Sequence, residues 1–384
     1  MRISILLCLL TLGATTLSAA DTVTFKPGDQ VAFMGDSITH GGNYHQKMQL
    51  FLTTRLPGQN LWTRNIGWSG HTAKGAVKEF SWNHPDPATP IVFVHYGMND
   101  VGRDDYKNRP TPPTDEQRAK RRGGYEASLS KLLDLLATPD RQLVIMSPTI
   151  FDDTMDRWDS AGERPHLNAE LARFGAMGRA IGTERGLACI DLHTPMDALN
   201  TRVHADNPTK GLTKDRVHPT DSAGSDIVFM TLLGPLAVPH QVYQVHLDAN
   251  GAAISCTGAE LLAAEAQGTG LSFTLREHAL PYPMTDKDRG LVMSDFTTRY
   301  NHQGLTLNGL AAGSYALNID DITVGTYTAE QFATGIELST VTTTPQFTQA
   351  LALRPVIFGR KQQLEKIIRT LNSMRANLIW AKLD

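Results

Sequence analysis

Short apolar runs alternate with helical patterns over roughly the first 240 residues of the chain. Five runs are short enough to form single buried strands: Val31–Met34, Leu61–Ile66, Ile91–Val94, Leu143–Met146 and Leu187–Ile190. Between and after them, apolar residues recur at helical spacing near residues 44–56, 70–80, 116–137, 166–185 and 223–233. This alternation is typical of βαβ units, in which helices cover both faces of a parallel sheet. The pattern therefore predicts a three-layer α/β domain.

Beyond about residue 240 the apolar positions recur at every second residue, which indicates half-buried strands. The segments with this period are Val242–Leu247, Leu271–Leu275, Leu305–Leu307 and Tyr315–Ile319. The sequence Thr328–Gln331 is a capping box and predicts a short helix. The last segment places apolar side chains on one helical stripe, which is expected to dock on the body; these residues are Leu364, Ile367, Ile368, Leu371 and Met374.

The amino terminus has the features of a secretory signal. A charged start is followed by an apolar run, Ile3–Leu12, and by small residues that end at Ala20. The run is too short to span a bilayer, so cleavage after Ala20 and export to the periplasm or the medium are expected. No other stretch predicts a membrane span. The expected organisation is a signal peptide over 1–20, an α/β domain over 21–240, a β-rich accessory region over 241–345 and a C-terminal helix over 346–384.

Composition narrows the classes of function. The formal net charge is −3, which favours neither nucleic-acid binding nor a basic membrane surface. No group of His, Cys and Asp has convincing spacing for a metal site, and no cofactor is expected. Cys189 and Cys256 remain after signal cleavage and could pair in an oxidising compartment. Cys189 lies in an apolar run, so the interpretation as a small core residue is preferred.

A candidate nucleophile follows the first predicted strand, where the apolar run breaks at Gly35–Ser37. A residue on such a turn lies at the carboxyl edge of the sheet, so the Ser37 hydroxyl is expected to face the ligand-binding crevice. The start of the next helix offers N–H groups to a developing negative charge. By itself Gly-Asp-Ser is also ordinary turn composition. The hypothesis therefore depends on other segments.

Three later segments end at the same edge. Gly67 follows the second strand, where a glycine lets backbone approach a ligand with its N–H free to donate. Asn99 follows the third, and its neutral carboxamide can donate to an oxyanion. His218 precedes the last helix of the domain and is the natural base for a serine. Asp215, three residues earlier, would hold the other ring nitrogen; none of the other 12 of the 13 histidines has an Asp at that spacing.

Together the four segments resemble the SGNH (GDSL-type) hydrolases over about residues 28–235. Gly35-Asp-Ser-Ile, Asn65-Ile-Gly, Gly97-Met-Asn-Asp and Asp215-x-x-His-Pro stand in the order of the family's blocks, with Ile38 in place of the Leu in the family name. The resemblance implies a flavodoxin-like α/β/α domain and ester hydrolysis without a metal. It implies that Ser37 is the nucleophile, His218 the base and Asp215 the residue that orients it. The implied oxyanion donors are the backbone N–H groups of Ser37 and Gly67 and the side chain of Asn99.

The substrate is expected to be a short acyl ester, chiefly acetyl, on a carbohydrate. Asp36, Trp68 and His71 are candidate substrate-binding residues, and a polar insertion over residues 102–123 is expected to form a rim that suits hydroxyl groups. No apolar loop is available for a long acyl chain. Two alternatives stay open at this point. One is a lipase or lysophospholipase, and the other is a glycan-binding protein that kept an inactive hydrolase fold. The oligomeric state is left open, and structural support is preferred over glycan binding for the C-terminal region.

Overall fold

A five-stranded parallel sheet forms the centre of the first domain. The computed structural model describes residues 22–106, 111–155 and 166–380; the expected signal peptide lies outside them. The strands are β1 Gln30–Gly35, β2 Trp62–Asn65, β3 Ile91–His95, β4 Gln142–Met146 and β5 Ala188–Ile190. Their order is β2-β1-β3-β4-β5, which is the flavodoxin-like order. The predicted α/β fold is confirmed.

Helices cover both faces of this sheet. They are α1 Ser37–Gly41, α2 Tyr44–Arg55, α3 Ala73–Lys78, α4 Asp115–Leu136, α5 Leu167–Glu184, α6 His193–Asp206 and α7 Ala223–Leu232. Because side chains alternate along β1, Phe33 packs on one face with Phe51 and Phe229, whereas Met34 packs on the other with Leu129. The strand is therefore buried on both sides and reads as a continuous apolar run.

Two helix starts differ from the sequence prediction. The turn after β1 continues into α1, because the Asp36 carboxylate accepts the Ile38 N–H at 2.9 Å and caps a helix that the apolar pattern does not show. The predicted polar insertion 102–123 is partly helical. A 3₁₀ turn spans Arg103–Tyr106, and the Thr114–Gln117 capping box starts α4 within the insertion.

The second part of the chain is built mainly of short strands. They are β6 Tyr243–Asp248, β7 Ala253–Thr257, β8 Ala259–Gln267, β9 Gly270–Glu277, β10 Gln303–Asn308, β11 Ser314–Ile319, β12 Ile322–Thr328 and β13 Ile336–Glu337. Four of them form a sheet in the order β13-β10-β6-β7, and β8–β9 and β11–β12 form two hairpins. The helices here are α8 Arg289–Val292, α9 Ala329–Thr334 and α10 Pro345–Trp380, with a π-helical turn over Thr297–Asn301. The predicted β-rich character of the C-terminal region is confirmed.

The first part of α10 packs on the body. Leu353, Ile357 and Phe358 lie against the core that contains α2. Ile367 and Met374, in contrast, are 55% and 59% exposed, so the predicted docking of the stripe is wrong at these two positions. The other stripe residues lie outside the described side chains. None of the helices in the described ranges is long and apolar enough to cross a bilayer.

The two cysteines are not joined to each other. Cys189 lies on β5 and Cys256 on β7, and each Sγ atom lies within hydrogen-bonding distance of a backbone carbonyl. Cys189 packs with the core on one face of the sheet, in agreement with its interpretation as a small core residue.

A buried charge cluster ties the C-terminal part to the first domain. Lys47 Nζ on α2 lies 2.6 Å from Asp226 on α7 and 2.8 Å from Asp288, which precedes α8. Arg354 on α10 binds Asp288 at 2.8 Å. The side chains of Lys47 and both carboxylates are at most 2% exposed. Two cations thus balance two anions where four elements meet.

Lys47→Met is expected to destabilise the protein by about 3–5 kcal/mol, because one cation would then face two buried carboxylates. Urea unfolding followed by circular dichroism measures this loss. Lys131→Met, on the exposed face of α4, is the matched control and should change stability by less than about 0.5 kcal/mol. A loss below about 1 kcal/mol for Lys47→Met would contradict the role assigned to the cluster.

Candidate active site

Ser37, His218 and Asp215 form a continuous hydrogen-bonded row. Ser37 is the first residue of α1, directly after β1. Its Oγ lies 2.9 Å from Nε2 of His218, and Nδ1 of His218 lies 2.7 Å from Oδ2 of Asp215. The loop before α7 therefore brings a base and a carboxylate to a serine 181 residues away in sequence.

The Asp-x-x-His spacing closes a compact turn. Asp215 Oδ1 accepts the backbone N–H groups of Val217 and His218, at 3.2 and 2.7 Å. Arg216, between them, has a left-handed φ of 68° and donates its guanidinium to the carbonyl of Asp152. One carboxylate oxygen thus holds the loop while the other binds the ring.

The ionised state of the Asp215 carboxylate fixes the tautomer of His218. Partial burial by itself would raise the pKa of Asp215, but hydrogen bonds from the ring and backbone of His218 outweigh it and lower the pKa to about 2. An ionised carboxylate only accepts hydrogen bonds, so Nδ1 of the ring carries the hydrogen. In the neutral ring Nε2 is then an acceptor directed at the Ser37 hydroxyl, which is the arrangement of a general base.

Gly67 does not present the free N–H that the sequence predicts. Its N–H donates to Asn65 Oδ1 at 2.9 Å, while Asn65 Nδ2 donates to the carbonyls of Thr39 and His40 on α1. A Cβ on Gly67 would lie 2.6 Å from the backbone nitrogen of His40. Gly67 is therefore needed for close packing of its loop on α1, and the prediction of Gly67 as an oxyanion donor is wrong for this structure.

Gly70 offers the N–H that this loop has available. The other amide groups from Ile66 to His71 have acceptors: Ile66 donates to Phe33, Gly67 to Asn65, Trp68 to Gly35, Ser69 to His40 and His71 to Trp68. The N–H of Gly70 donates to none of the described residues. Its φ of +82° at the third position of the Trp68–His71 turn is typical of a type II turn. That turn, with glycine at its third position, is a sequence signal that could have identified this residue.

Asn99 lies beyond the end of β3 with its carboxamide held on three sides. Its Nδ2 donates to His71 O at 2.8 Å and makes a long contact of 3.4 Å to Asp36 Oδ2. Its Oδ1 accepts from Nη2 of Arg103 at 2.9 Å. The long contact leaves one N–H of the carboxamide able to donate to a ligand. Sequence reasoning placed Arg103 on the rim and missed its contact with Asn99.

Two buried carboxylates support this part of the site. Asp100 accepts the N–H groups of Ala73 and Gly97, which joins the start of α3 to the turn after β3. Burial raises the pKa of Asp36 to about 6 and that of Asp100 to about 7. Asp36 is 1% exposed and is used in capping α1 and in the contact with Asn99. Its predicted role in direct substrate binding is therefore wrong, because no face of the carboxylate is open.

The two other predicted substrate-binding residues differ from each other. The His71 ring is buried, and its Nε2 binds Glu79 at 2.7 Å, so this ring serves the fold rather than a ligand. Trp68 is half-buried and packs edge-on against Trp82, with ring centroids 5.3 Å apart. Trp68 is thus only half-buried on the loop that carries Gly70.

A cavity of about 30 Å³ lies beside the nucleophile. It is lined by Ser37, Ile38, Gly41, Gly42, Tyr44, Lys214, His218, Pro219 and Ser225. The volume corresponds to roughly two or three water molecules. Within the described ranges no group of three or more His, Cys, Asp or Glu residues could hold a metal ion.

The family of the chain follows from comparison with known proteins. Residues 33–223 match the GDSL-like lipase/acylhydrolase family, a span that includes the serine, glycine, asparagine and histidine segments. The chain belongs to the SGNH/GDSL hydrolases, and it is a carboxylic ester hydrolase of this type. No protein with a curated description matches it.

Solved structures resemble the chain over different spans. A gut microbial diltiazem-metabolizing enzyme aligns with a TM-score of 0.82 and 26% identity, over 91% of this chain and 81% of that one. An acetylxylan esterase from Geobacillus stearothermophilus aligns over 54% of this chain and 94% of its own, with 22% identity and a TM-score of 0.41. The α/β hydrolase LAE5 from the metagenome of Lake Arreo, Spain, aligns over 55% and 96%, with 21% identity and a TM-score of 0.42. The first of these extends across both parts of the chain.

Proposed function

We propose that the protein removes short acyl groups, acetyl above all, from carbohydrate esters by a Ser-His-Asp mechanism. The observation that carries this proposal is the row from Ser37 Oγ through the His218 ring to the Asp215 carboxylate, beside a small cavity. A nucleophile in hydrogen-bond contact with a base that a third group orients is the arrangement that serine acyl transfer requires.

The first half of the reaction forms an acyl-enzyme. Ser37 Oγ attacks the ester carbonyl carbon while His218 Nε2 takes the hydroxyl proton. The carbonyl oxygen becomes an oxyanion, and the imidazolium is stabilised by Asp215. When the tetrahedral intermediate collapses, the bond to the alcohol oxygen breaks and His218 returns the proton to that oxygen. In the second half water takes the place of the alcohol, and the same proton transfers release the acid and restore Ser37.

Three donors are proposed for the oxyanion. The N–H of Ser37 is in the first turn of α1, where helical N–H groups have no partner within the helix. The N–H of Gly70 and one N–H of the Asn99 carboxamide complete the set. Such donors stabilise charge that appears only in the transition state, so they raise kcat rather than ground-state binding.

The cavity supports a short acyl group. Its volume of about 30 Å³ suits an acetyl methyl group better than a fatty chain. Each buried methylene of a long chain would gain about 0.8 kcal/mol, but only where an apolar channel exists to receive it. The residues that line this small cavity beside Ser37 include Ile38, Tyr44 and Pro219. This observation favours an acetylesterase over the lipase alternative.

The rim supports a polar alcohol group. Asp104 and Asp105 stand on the 3₁₀ turn after Asn99, and Trp68 is half-buried on the loop that carries Gly70. Charged groups suit hydroxyls, and an aromatic face suits the apolar face of a sugar ring. The similar gut microbial enzyme metabolizes diltiazem, so small aryl-containing esters belong in the test set as well.

Purified protein is expected to hydrolyse p-nitrophenyl acetate with a kcat/KM at least about 100-fold above that for p-nitrophenyl laurate, because the cavity of about 30 Å³ beside Ser37 is far smaller than a laurate chain. Acetate release from acetylated xylan and acetylated sugars, followed by coupled assay, tests the carbohydrate part. Higher kcat/KM for laurate with acetylated sugars untouched would favour a lipase. Binding to sugars with no hydrolysis of any ester would favour the glycan-binding alternative.

Export remains part of the proposal. A charged start, an apolar run and small residues before Ala20 support cleavage at that position. Mass spectrometry of protein expressed in an exporting host should give a mature chain that begins at Asp21. A cell-associated product that retains Met1 would contradict export.

A further inference from the structure

Arg103 stands one turn after Asn99 and contacts the side chain of that residue directly. Its Nη2 donates to Asn99 Oδ1 at 2.9 Å, and the residue is half-buried at the start of the 3₁₀ turn. No part of the proposed acyl transfer yet uses this contact.

The orientation of the Asn99 carboxamide decides whether it can act. The two ends of a carboxamide have nearly the same size, but only Nδ2 can donate to an oxyanion. A guanidinium has only hydrogen-bond donors, so Arg103 can pair with the carboxamide only when Oδ1 faces it. Nδ2 is thereby turned toward His71 O and Asp36, and a flipped carboxamide would leave Arg103 facing two N–H groups.

The charge of Arg103 also reaches this part of the site. Burial is the larger effect on Asp36 and raises its pKa, while the nearby Arg103 guanidinium opposes that rise. The cation therefore lies close to both the buried carboxylate and the carboxamide. A cation bound to a carboxamide oxygen draws electron density from the nitrogen and makes each N–H a stronger donor.

A braced turn holds Arg103 in this place. Arg121 on α4 binds Asp105 with both Nε and Nη2, at 2.9 and 2.8 Å. Gly102 has a φ of +72°, and a Cβ there would lie 2.5 Å from Nε of Arg121. The turn that carries Arg103 is thus packed under an arginine from the following helix, and Gly102 makes room for that arginine.

We propose that Arg103 is a positioning residue that fixes the Asn99 carboxamide with its N–H toward the oxyanion and strengthens that N–H as a donor. The proposal rests on the proposed function, because it acts only through an oxyanion donor. Arg103 would strengthen a hydrogen bond that forms only in the transition state. Its removal should therefore lower kcat and leave KM nearly unchanged.

The test is a double-mutant cycle on p-nitrophenyl acetate with Arg103→Met, Asn99→Ala and the double variant. Asn99→Ala should lower kcat by roughly 10²–10³. Arg103→Met should lower kcat by about 10-fold or more with KM within about twofold, and in the Asn99→Ala background it should cost less than about twofold. Arg103→Lys keeps the charge without the planar fork, so it should recover part of the loss. Arg202→Met, at an exposed position on α6, is the matched control and should leave kcat unchanged.

Each other outcome overturns the inference in a distinct way. Equal losses from Arg103→Met with and without Asn99 would mean that Arg103 acts on the substrate directly. A loss confined to KM would mean the same. Unchanged kcat with a lower Tm would leave Arg103 a purely structural role. If Arg103→Met does not fold, Arg103→Lys, with its Tm measured, replaces it in the cycle. If Asn99→Ala itself left kcat unchanged, the oxyanion assignment in the proposed function would fail as well.

Discussion

Replacing Ser37 by alanine is expected to reduce kcat for p-nitrophenyl acetate by about 10⁴–10⁶, the scale observed when a serine nucleophile is removed. Among the described residues, Ser37 Oγ is the hydroxyl that lies 2.9 Å from His218 Nε2, so no acyl-enzyme can form without it. The remaining donors and the cavity would still bind the ester, so a small residual rate should persist. Initial rates at equal protein concentration, determined from absorbance for both proteins, measure the effect.

The fold should survive this substitution. The Asp36 side chain caps α1 without help from the Ser37 hydroxyl, so the Tm should change by only a few degrees. Ser128→Ala is the matched control, because Ser128 Oγ binds only the Gly124 carbonyl of its own helix. Retained activity in Ser37→Ala, with a folded protein, would end the serine mechanism.

The second large effect is expected for Asp215→Asn, which should lower kcat by about 10³–10⁴. An asparagine can donate to Nδ1 of His218, which favours the tautomer with hydrogen on Nε2. That tautomer cannot accept the proton of Ser37. The distances of 2.7 Å from residue 215 to His218 Nδ1 and 2.9 Å from His218 Nε2 to Ser37 Oγ would be nearly unchanged. The donor and the acceptor in each of these two hydrogen bonds would exchange roles.

The pH dependence separates Asp215 from the two buried carboxylates. The pKa of Asp215 is about 2, so this carboxylate stays ionised through weakly acidic pH. A change of wild-type kcat/KM between about pH 7 and 5 must therefore come from other groups, and the buried Asp36 and Asp100 carboxylates, with pKa values of about 6 and about 7, titrate in that range. Asp140→Asn, at an exposed position, is the control for loss of one carboxylate and should keep the wild-type profile. Full activity in Asp215→Asn would remove Asp215 from the mechanism.

The position of the candidate site could be predicted because parallel strands deliver their carboxyl ends to one edge. Ser37 and Asn99 follow β1 and β3, which are neighbours in the sheet. The spacing of Asp215 and His218 then predicted a pair on one loop, and the structure places that pair against Ser37. These inferences needed only the order of elements and the chemistry of each side chain.

The choice between Gly67 and Gly70 could not be made in this way. Which N–H remains available depends on Asn65, whose side chain binds α1 on one end and Gly67 on the other. That contact is tertiary and leaves no periodic trace in the sequence. The same holds for the His71 ring, which sequence proximity suggested for substrate and which Glu79 holds instead.

In the C-terminal region, sequence periodicity missed one strand and overstated the buried length of one helix. The β8 strand, Ala259–Gln267, is largely exposed on both faces, so its apolar positions do not alternate and the pattern did not reveal it. In α10 the apolar stripe is real, but Ile367 and Met374 extend beyond the surface that Leu353 and Ile357 contact. A stripe predicts a buried face only as far as a partner surface reaches.

Labelling with a fluorophosphonate tests the central claim most directly. The reagent is an electrophile at phosphorus that reacts with an activated serine and loses fluoride, which leaves a stable ester on Oγ. Intact-mass and peptide analysis should show one adduct per chain, on Ser37, with activity lost in proportion to labelling and no adduct in Ser37→Ala. An adduct on a different residue, or full esterase activity in protein that is not labelled at Ser37, would contradict the account.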